Sequence, residues 1–190
     1  MREEHYFFAL ALPETAKNYC MEASELIKQK FPFKSWVHEA DLHITLVFLG
    51  PAPKEKLDCA LKNMPQAVAS VQQFALKVKG FGIFGRPDAP RVLWGATEDS
   101  QPLNMLRSNV ASVCSEAGFE IESRPFKPHI TLARKWKGNE DFNLAGLEQI
   151  RDVLNVPPVF TAREAVLYKT HPDRTPKYEK IASFPLEGQE

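Results

Sequence analysis

Apolar and polar residues alternate along this chain in two rhythms, which divide it into short strands and amphipathic helices. Tyr6 to Leu12 is an unbroken apolar run ended by Pro13. It suits one buried strand and, at seven residues, is too short to span a membrane. In ETAKNYCMEASELIKQKF, Ala16, Cys20, Ala23, Leu26 and Ile27 then recur at helical spacing. DLHITLVFLG changes to period two: alternation sets Ile44, Leu46 and Phe48 on one face and His43, Thr45 and Val47 on the other. PKEKLDCALKNMPQAVAS reads as a Pro-started helix, interrupted or ended near Pro65.

The second part repeats the mixture. Phe74 to Lys79 and Arg91 to Thr97 are expected strands around a Gly/Pro-rich hairpin connection. Leu103, Leu106, Val110 and Val113 mark a helix with Ser100 as N-cap, Pro102 in its first turn and Gly118 as its stop. PHITLAR supplies another strand, Phe142 to Leu154 a helix, and VFTAREAVLYKT and KYEKIASFPL the last two strands. Strands and helices intermix without a regular βα alternation, so we expect an α+β fold with substantially antiparallel sheet.

Composition narrows the function. With 44% hydrophobic and 25% charged residues in 190, the chain is a globular domain, taken as one unit over 1–190. Lys plus Arg and Asp plus Glu are both 24, so no overall field exists to hold duplex DNA, and a nucleic-acid partner must be met locally. Cys20, Cys59 and Cys114 are odd in number and widely spaced, against a disulfide framework and in keeping with a reducing cytoplasm. The N-terminal stretch lacks a basic segment followed by a cleavage site, so we expect no membrane or secretory role. Nothing demands more than a monomer.

One tetrapeptide occurs twice. HITL begins at His43 and again at His129, 86 positions on (129 minus 43), and these are two of only five histidines. A helix stands near each copy, which points to an internally duplicated, two-lobed domain. In each copy His and Thr are two residues apart and share a strand face, with alpha carbons roughly 6.5 Å apart. Imidazole exchanges protons near neutral pH, and a threonine hydroxyl donates to a phosphoryl oxygen without adding charge. If the copies face each other, one imidazole can deprotonate water while the other protonates the departing oxygen, which is what metal-free hydrolysis of a phosphodiester requires. From Ser123 to Asn139 lie Arg124, Lys127, Arg134, Lys135 and Lys137, interleaved with Phe126 and Trp136. Such a patch suits a nucleotide or a single-stranded end, or is simply a solvated basic loop.

The pair HITLVFLG and FKPHITLAR resembles the two HxT(L) motifs of the 2H phosphoesterase superfamily. More narrowly, the chain is similar to the bacterial and archaeal RNA 2',3'-cyclic phosphodiesterases, or 2'-5' RNA ligase-like (LigT-type) proteins. FFALALPE, FGRPDAPRVLWG and LYKT extend the likeness over most of the chain. The resemblance implies a bilobal α+β domain with two pseudo-symmetric, mainly antiparallel sheets, helices outside and the cleft between. It implies opening of a terminal 2',3'-cyclic phosphate on RNA to a 2'-phosphate, with no cofactor or metal, and RNA 3' ends or small cyclic nucleotides as partners. By motif position, His43 and His129 are the catalytic pair, and Thr45, Thr131 and Arg134 bind substrate. By analogy within the superfamily, His129 is the base and His43 the acid. Strict alternation puts Arg134 on the Ile130 face, so it reaches the site only if the strand ends or bulges first. Trp136, Phe84 and Tyr168 are candidates for stacking a base or lining the cleft, with a core or rim role as the plainer reading.

Other readings leave marks of their own. A zinc hydrolase needs HxxxH, HxH or HExxH spacing, which neither copy has. No GxSxG elbow is present, and Cys114 lies on an expected helix face rather than beside a histidine. A non-catalytic binder of RNA ends or nucleotides has no use for two proton-exchanging groups. Another small cyclic or 2'-5' linked phosphodiester, hydrolysed or ligated, would use the same residues.

Overall fold

The computed structural model describes residues 4–188. The apolar N-terminal run is β1 (His5–Ala11), and Pro13 precedes α1 (Glu14–Lys28), which buries Ala16, Cys20, Ala23 and Ile27. β2 (Phe33–Trp36) and a short 3-10 turn at Glu39–Asp41 lead into β3 (His43–Pro51), the first HITL strand. α2 (Lys54–Ala69) continues past Pro65 instead of ending there. Pro65 faces solvent, where water can meet the carbonyl it leaves unbonded, while Ala60, Met64 and Val68 bury the opposite face.

β4 (Phe74–Gly85) is twice the expected length and pairs with β5 (Pro90–Thr97). The glycines taken for a loop belong to the strand. A Cβ at Gly82 would lie 2.5 Å from the Trp94 ring, so the missing side chain makes room for that indole. α3 (Gln101–Glu116) is capped as expected, Ser100 accepting from Leu103 N–H at 3.3 Å, and Gly118 follows with φ 88°. β6 (His129–Trp136) is the second HITL strand. α4 (Leu144–Val153) starts later than Phe142, behind an Asn143 cap. VFTAREAVLYKT divides into β7 (Val159–Ala162) and β8 (Glu164–Thr170), and β9 (Tyr178–Pro185) closes the fold.

The strands form one antiparallel path, β7-β4-β5-β6-β3-β1-β8-β9, with β2 beside β6. The two expected sheets are its halves, joined where Ile44 of β3 pairs with Ile130 of β6. About that pair the order is symmetric: β1 lies beside β3 as β5 lies beside β6, and β8 flanks β1 as β4 flanks β5. β4 follows α2 in the chain yet pairs with β5, so each half of the sequence lends a strand to the other half of the sheet. The helices interlock similarly, α2 against α3 and α1 against α4. Ile44, Ile130, Phe8, Leu10 and Leu132, all fully buried, share one core under the helices. The opposite face of β1 and β8 carries Phe7, Ala9, Val166 and Tyr168, and the histidines stand on that side.

Candidate active site

The Ile44–Ile130 pair decides how the two motifs meet. Because the strands are antiparallel, the register around it sets His43 across from Thr131 and Thr45 across from His129. Both isoleucines point into the core, so their neighbours on either side face the cleft. Two His and two Thr therefore surround one point, as the duplication led us to expect.

Each motif strand then breaks its alternation at the same place. On β3, Phe8 pairs with Val47 and Ala9 with Thr45, leaving Leu46 as an extra residue. On β6, Leu93 pairs with Ala133 and Trp94 with Thr131, leaving Leu132 extra. Both bulges bury two consecutive residues, Leu46–Val47 and Leu132–Ala133, and reverse the facing of the residues beyond them. Arg134 thus turns to the histidine side, where its charge acts on His43, His129 and Tyr178. Phe48, expected on the face of Ile44 and Leu46, is instead 54% exposed on the cleft side.

The imidazoles are held alike. His43 Nδ1 donates to the Asp41 carbonyl at 2.7 Å, and His129 Nδ1 donates to the Lys127 carbonyl at 2.7 Å. Those carbonyls keep the proton on Nδ1 and leave Nε2 as the nitrogen able to accept one. His43 Nε2 lies 3.0 Å from Thr45 Oγ1. Aromatic rings stand around both: Phe7, Tyr178 and Tyr168 lie 4.8, 5.2 and 5.8 Å from His43, and Phe84 and Trp94 lie 4.9 and 6.1 Å from His129. Burial pushes His43 down to about 4, opposed by its bond to the Asp41 carbonyl and the Asp41 charge, while His129 and Arg134 add to the fall. His129 is also lowered by burial, against its bond to the Lys127 carbonyl, with Arg134 and Lys127 adding repulsion. Both rings are therefore neutral near pH 7 when nothing anionic is bound.

Several neighbours of the site were not among the sequence candidates. The Asp41 carboxylate, buried, accepts from the N–H groups of Lys177 and Tyr178, tying the start of β9 to the turn before His43. Its place two residues before the first HITL was the available signal. Burial pushes the Tyr178 phenol up, against the charge of Arg134 and a hydrogen bond with it. Of the three aromatic candidates, Phe84 lines the groove, and Tyr168, buried, packs 5.8 Å from His43. Trp136 does neither: it packs on Phe31, Phe33 and Phe142 on the other side of β6. The basic patch divides as well, because the bulge and Lys135, with φ 62°, turn the chain between Arg134 and Trp136.

From Thr45 and His129 a groove of about 810 Å³ runs outward past Phe48, Phe84 and Phe126. Among the described residues no three His, Cys, Asp or Glu side chains lie together as a metal-binding group, and no helix is long and apolar enough to cross a membrane.

The 2'-5' RNA ligase superfamily matches residues 15–174. A Geobacillus stearothermophilus protein named RNA 2',3'-cyclic phosphodiesterase is 42% identical over 99% of this chain, which spans 59% of that protein's length. The Bacillus subtilis protein of the same name is 32% identical over 96% of both chains. A Thermus thermophilus crystal structure superposes with a TM-score of 0.78 at 25% identity, covering 98% of this chain and all of that one. Apo LigT of E. coli shares the fold, with a TM-score of 0.73 at 24% identity over 98% of this chain and 99% of its own. The family match over residues 15–174 and the likeness to the Bacillus protein, in a fold where two HxT strands meet at one isoleucine pair, make this chain a member of the 2'-5' RNA ligase superfamily.

Proposed function

We propose that this protein opens terminal 2',3'-cyclic phosphates on RNA to 2'-phosphates, using His43 and His129 as an acid/base pair and no metal. The observation that carries the reading is the antiparallel meeting of the two HxT motifs, with each imidazole oriented through Nδ1 so that Nε2 can exchange a proton. The names of the Geobacillus and Bacillus relatives support the same activity.

In this scheme Thr45, Thr131 and Arg134 hold the phosphoryl oxygens. Water attacks phosphorus and gives a proton to His129 Nε2. The bond from phosphorus to O3' breaks, and O3' takes a proton from His43 Nε2, leaving phosphate on O2'. The pair ends with its protons exchanged and is reset through solvent. The role split follows the superfamily analogy: Asp41 favours a protonated His43, while Arg134 disfavours the proton on both imidazoles and Lys127 adds to this at His129 alone. A bound phosphodiester anion offsets Arg134 and raises both imidazoles, which lets His43 carry the proton it must give.

The test is hydrolysis of an oligonucleotide ending in 2',3'-cyclic phosphate, in EDTA, by the wild type, His43→Ala and His129→Ala. Each variant should lose about 10²–10⁴-fold in kcat, the usual worth of a positioned acid or base. Activity abolished by EDTA would sink the metal-free mechanism. Full activity in either variant would sink the histidine pair, and tight binding without turnover in the wild type would make the protein a binder.

A further inference from the structure

An aromatic ring stands edge-on to each imidazole, and of these two rings only one carries a hydroxyl. Phe84 meets His129 at 4.9 Å and 89°, and Tyr178 meets His43 at 5.2 Å and 84°. Packing alone does not ask for a phenol beside His43. The Tyr178 ring also lies edge-on to Phe7, at 4.9 Å and 81°, and a phenylalanine would make both contacts. What the hydroxyl adds is Arg134, whose guanidinium acts on it by charge and by a hydrogen bond.

Two distant parts of the chain converge to make this pair. β9 stands third from β3 along the sheet, yet its first residue reaches His43, because the buried Asp41 carboxylate accepts from the Lys177 N–H at 2.8 Å and the Tyr178 N–H at 3.0 Å. From the other side the bulge in β6 turns Arg134 to the same place. Backbone register and backbone hydrogen bonds therefore set both groups before any ligand arrives, as a site that must meet charge without rearranging requires.

Counting protons shows what the pair can do. A guanidinium has five N–H donors and no acceptor, so in their hydrogen bond the phenol oxygen accepts. The phenol's own proton is left over, and nothing on Arg134 can take it. Burial pushes the Tyr178 phenol up, against the charge of Arg134 and the hydrogen bond with it, so the group stays a donor at neutral pH. An oxygen of an anion held by Arg134 is an acceptor for that proton. Phe84, the edge-on ring on the His129 side, has no such proton to give.

Resting on the function proposed above, we infer that Tyr178 and Arg134 form one phosphate-binding pair, the phenol oxygen accepting from the guanidinium while the phenol proton is donated to a phosphoryl oxygen. No bond breaks at Tyr178. It serves the oxygens that stay on phosphorus and carry the charge through the reaction.

Tyr178→Phe removes one oxygen and leaves the ring against Phe7 and His43, so its melting temperature should match that of the wild type. With an oligonucleotide ending in 2',3'-cyclic phosphate, kcat/KM should fall about 10-fold, as loss of one hydrogen bond to a charged group does. Inhibition by inorganic phosphate should weaken about 10-fold as well. In an Arg134→Ala background the same change should cost at most ~3-fold, because a pair that acts as a unit is lost with either member. Wild-type kcat/KM and phosphate inhibition in Tyr178→Phe, or an equal loss in both backgrounds, overturns the inference. If the wild type opens no cyclic phosphate, the hydrolytic reading fails, and the pair is judged by the Kd for 2'-AMP across the same proteins. A ~10-fold weaker Kd in Tyr178→Phe that vanishes in the Arg134→Ala background upholds it. Equal Kd values for the wild type and Tyr178→Phe, or no binding of 2'-AMP by the wild type, overturn it.

Discussion

The carboxylate of Asp41 accepts the backbone N–H of Tyr178 at 3.0 Å, although 137 positions separate them, while the Asp41 carbonyl accepts from His43 Nδ1. One residue therefore holds both an imidazole and the tyrosine beside it. Asp41→Ala strips acceptors from the Lys177 and Tyr178 N–H groups and should cost about 2–3 kcal/mol of stability, with turnover falling about 10-fold as the His43 side loosens. Asp41→Asn keeps an acceptor oxygen and should recover much of both losses. Urea melts and kcat check this; an Asp41→Ala protein as stable and active as wild type refutes it.

In the proposed mechanism the lowered imidazoles set the pH dependence of catalysis. In the free enzyme the active form carries one proton on the pair, His43 titrating at about 4 and His129 below its ordinary value. kcat/KM should therefore trace a bell with its alkaline limb beginning below pH 6.5. In kcat, where bound phosphate raises both groups, that limb should move to higher pH. A kcat/KM profile flat from pH 5 to 9 contradicts the pair.

Stability should follow the same titration. His43 is depressed in the folded protein, so the unfolded chain binds more protons between pH 6.5 and about 4. Its contribution is complete above pH 6.5, declines as pH falls toward 4 and levels off below. Allowing for its partial exposure, the loss is about 2 kcal/mol. Unfolding free energies of wild type and His43→Gln, measured across that range, should converge by this amount as the pH drops.

Arg134 reaches the histidine side of the sheet through a bulge, and if it holds phosphate as proposed its fork should matter as much as its charge. Arg134→Lys should lower kcat/KM about 10-fold and Arg134→Ala about 100-fold, the range of one or two charge-assisted hydrogen bonds. Inhibition by inorganic phosphate should weaken in the same order. Equal inhibition across the three proteins would leave Arg134 outside the site.

Gly82 leaves space for the Trp94 indole, which packs 4.9 Å from Phe84 beside His129. Gly82→Ala should cost about 1–3 kcal/mol through overpacking and shift Trp94 fluorescence. An unchanged melt and spectrum would show that the ring moves aside freely.

Periodicity in the sequence was sufficient for the α+β class, for β1, α1 and α3, and for the pairing of His with Thr on a strand face, because these depend on neighbours a few residues apart. The repeated HITL also pointed to the two histidines, since strand period alone sends His43 and Thr45, and His129 and Thr131, to one side. The facing of Phe48 and Arg134 lay beyond that rule. Each is decided by a bulge that forms where β3 meets β1 and β6 meets β5, and a bulge is a property of two strands in register. Asp41 with Tyr178, Trp94 over Gly82, and Arg91 and Arg107 beside Arg124 are likewise joined only by strand order and helix packing. The sequence by itself determined which groups can exchange a proton; the tertiary structure decided which residues surround them and on which side the cleft opens, because those distances run across the sheet and not along the chain.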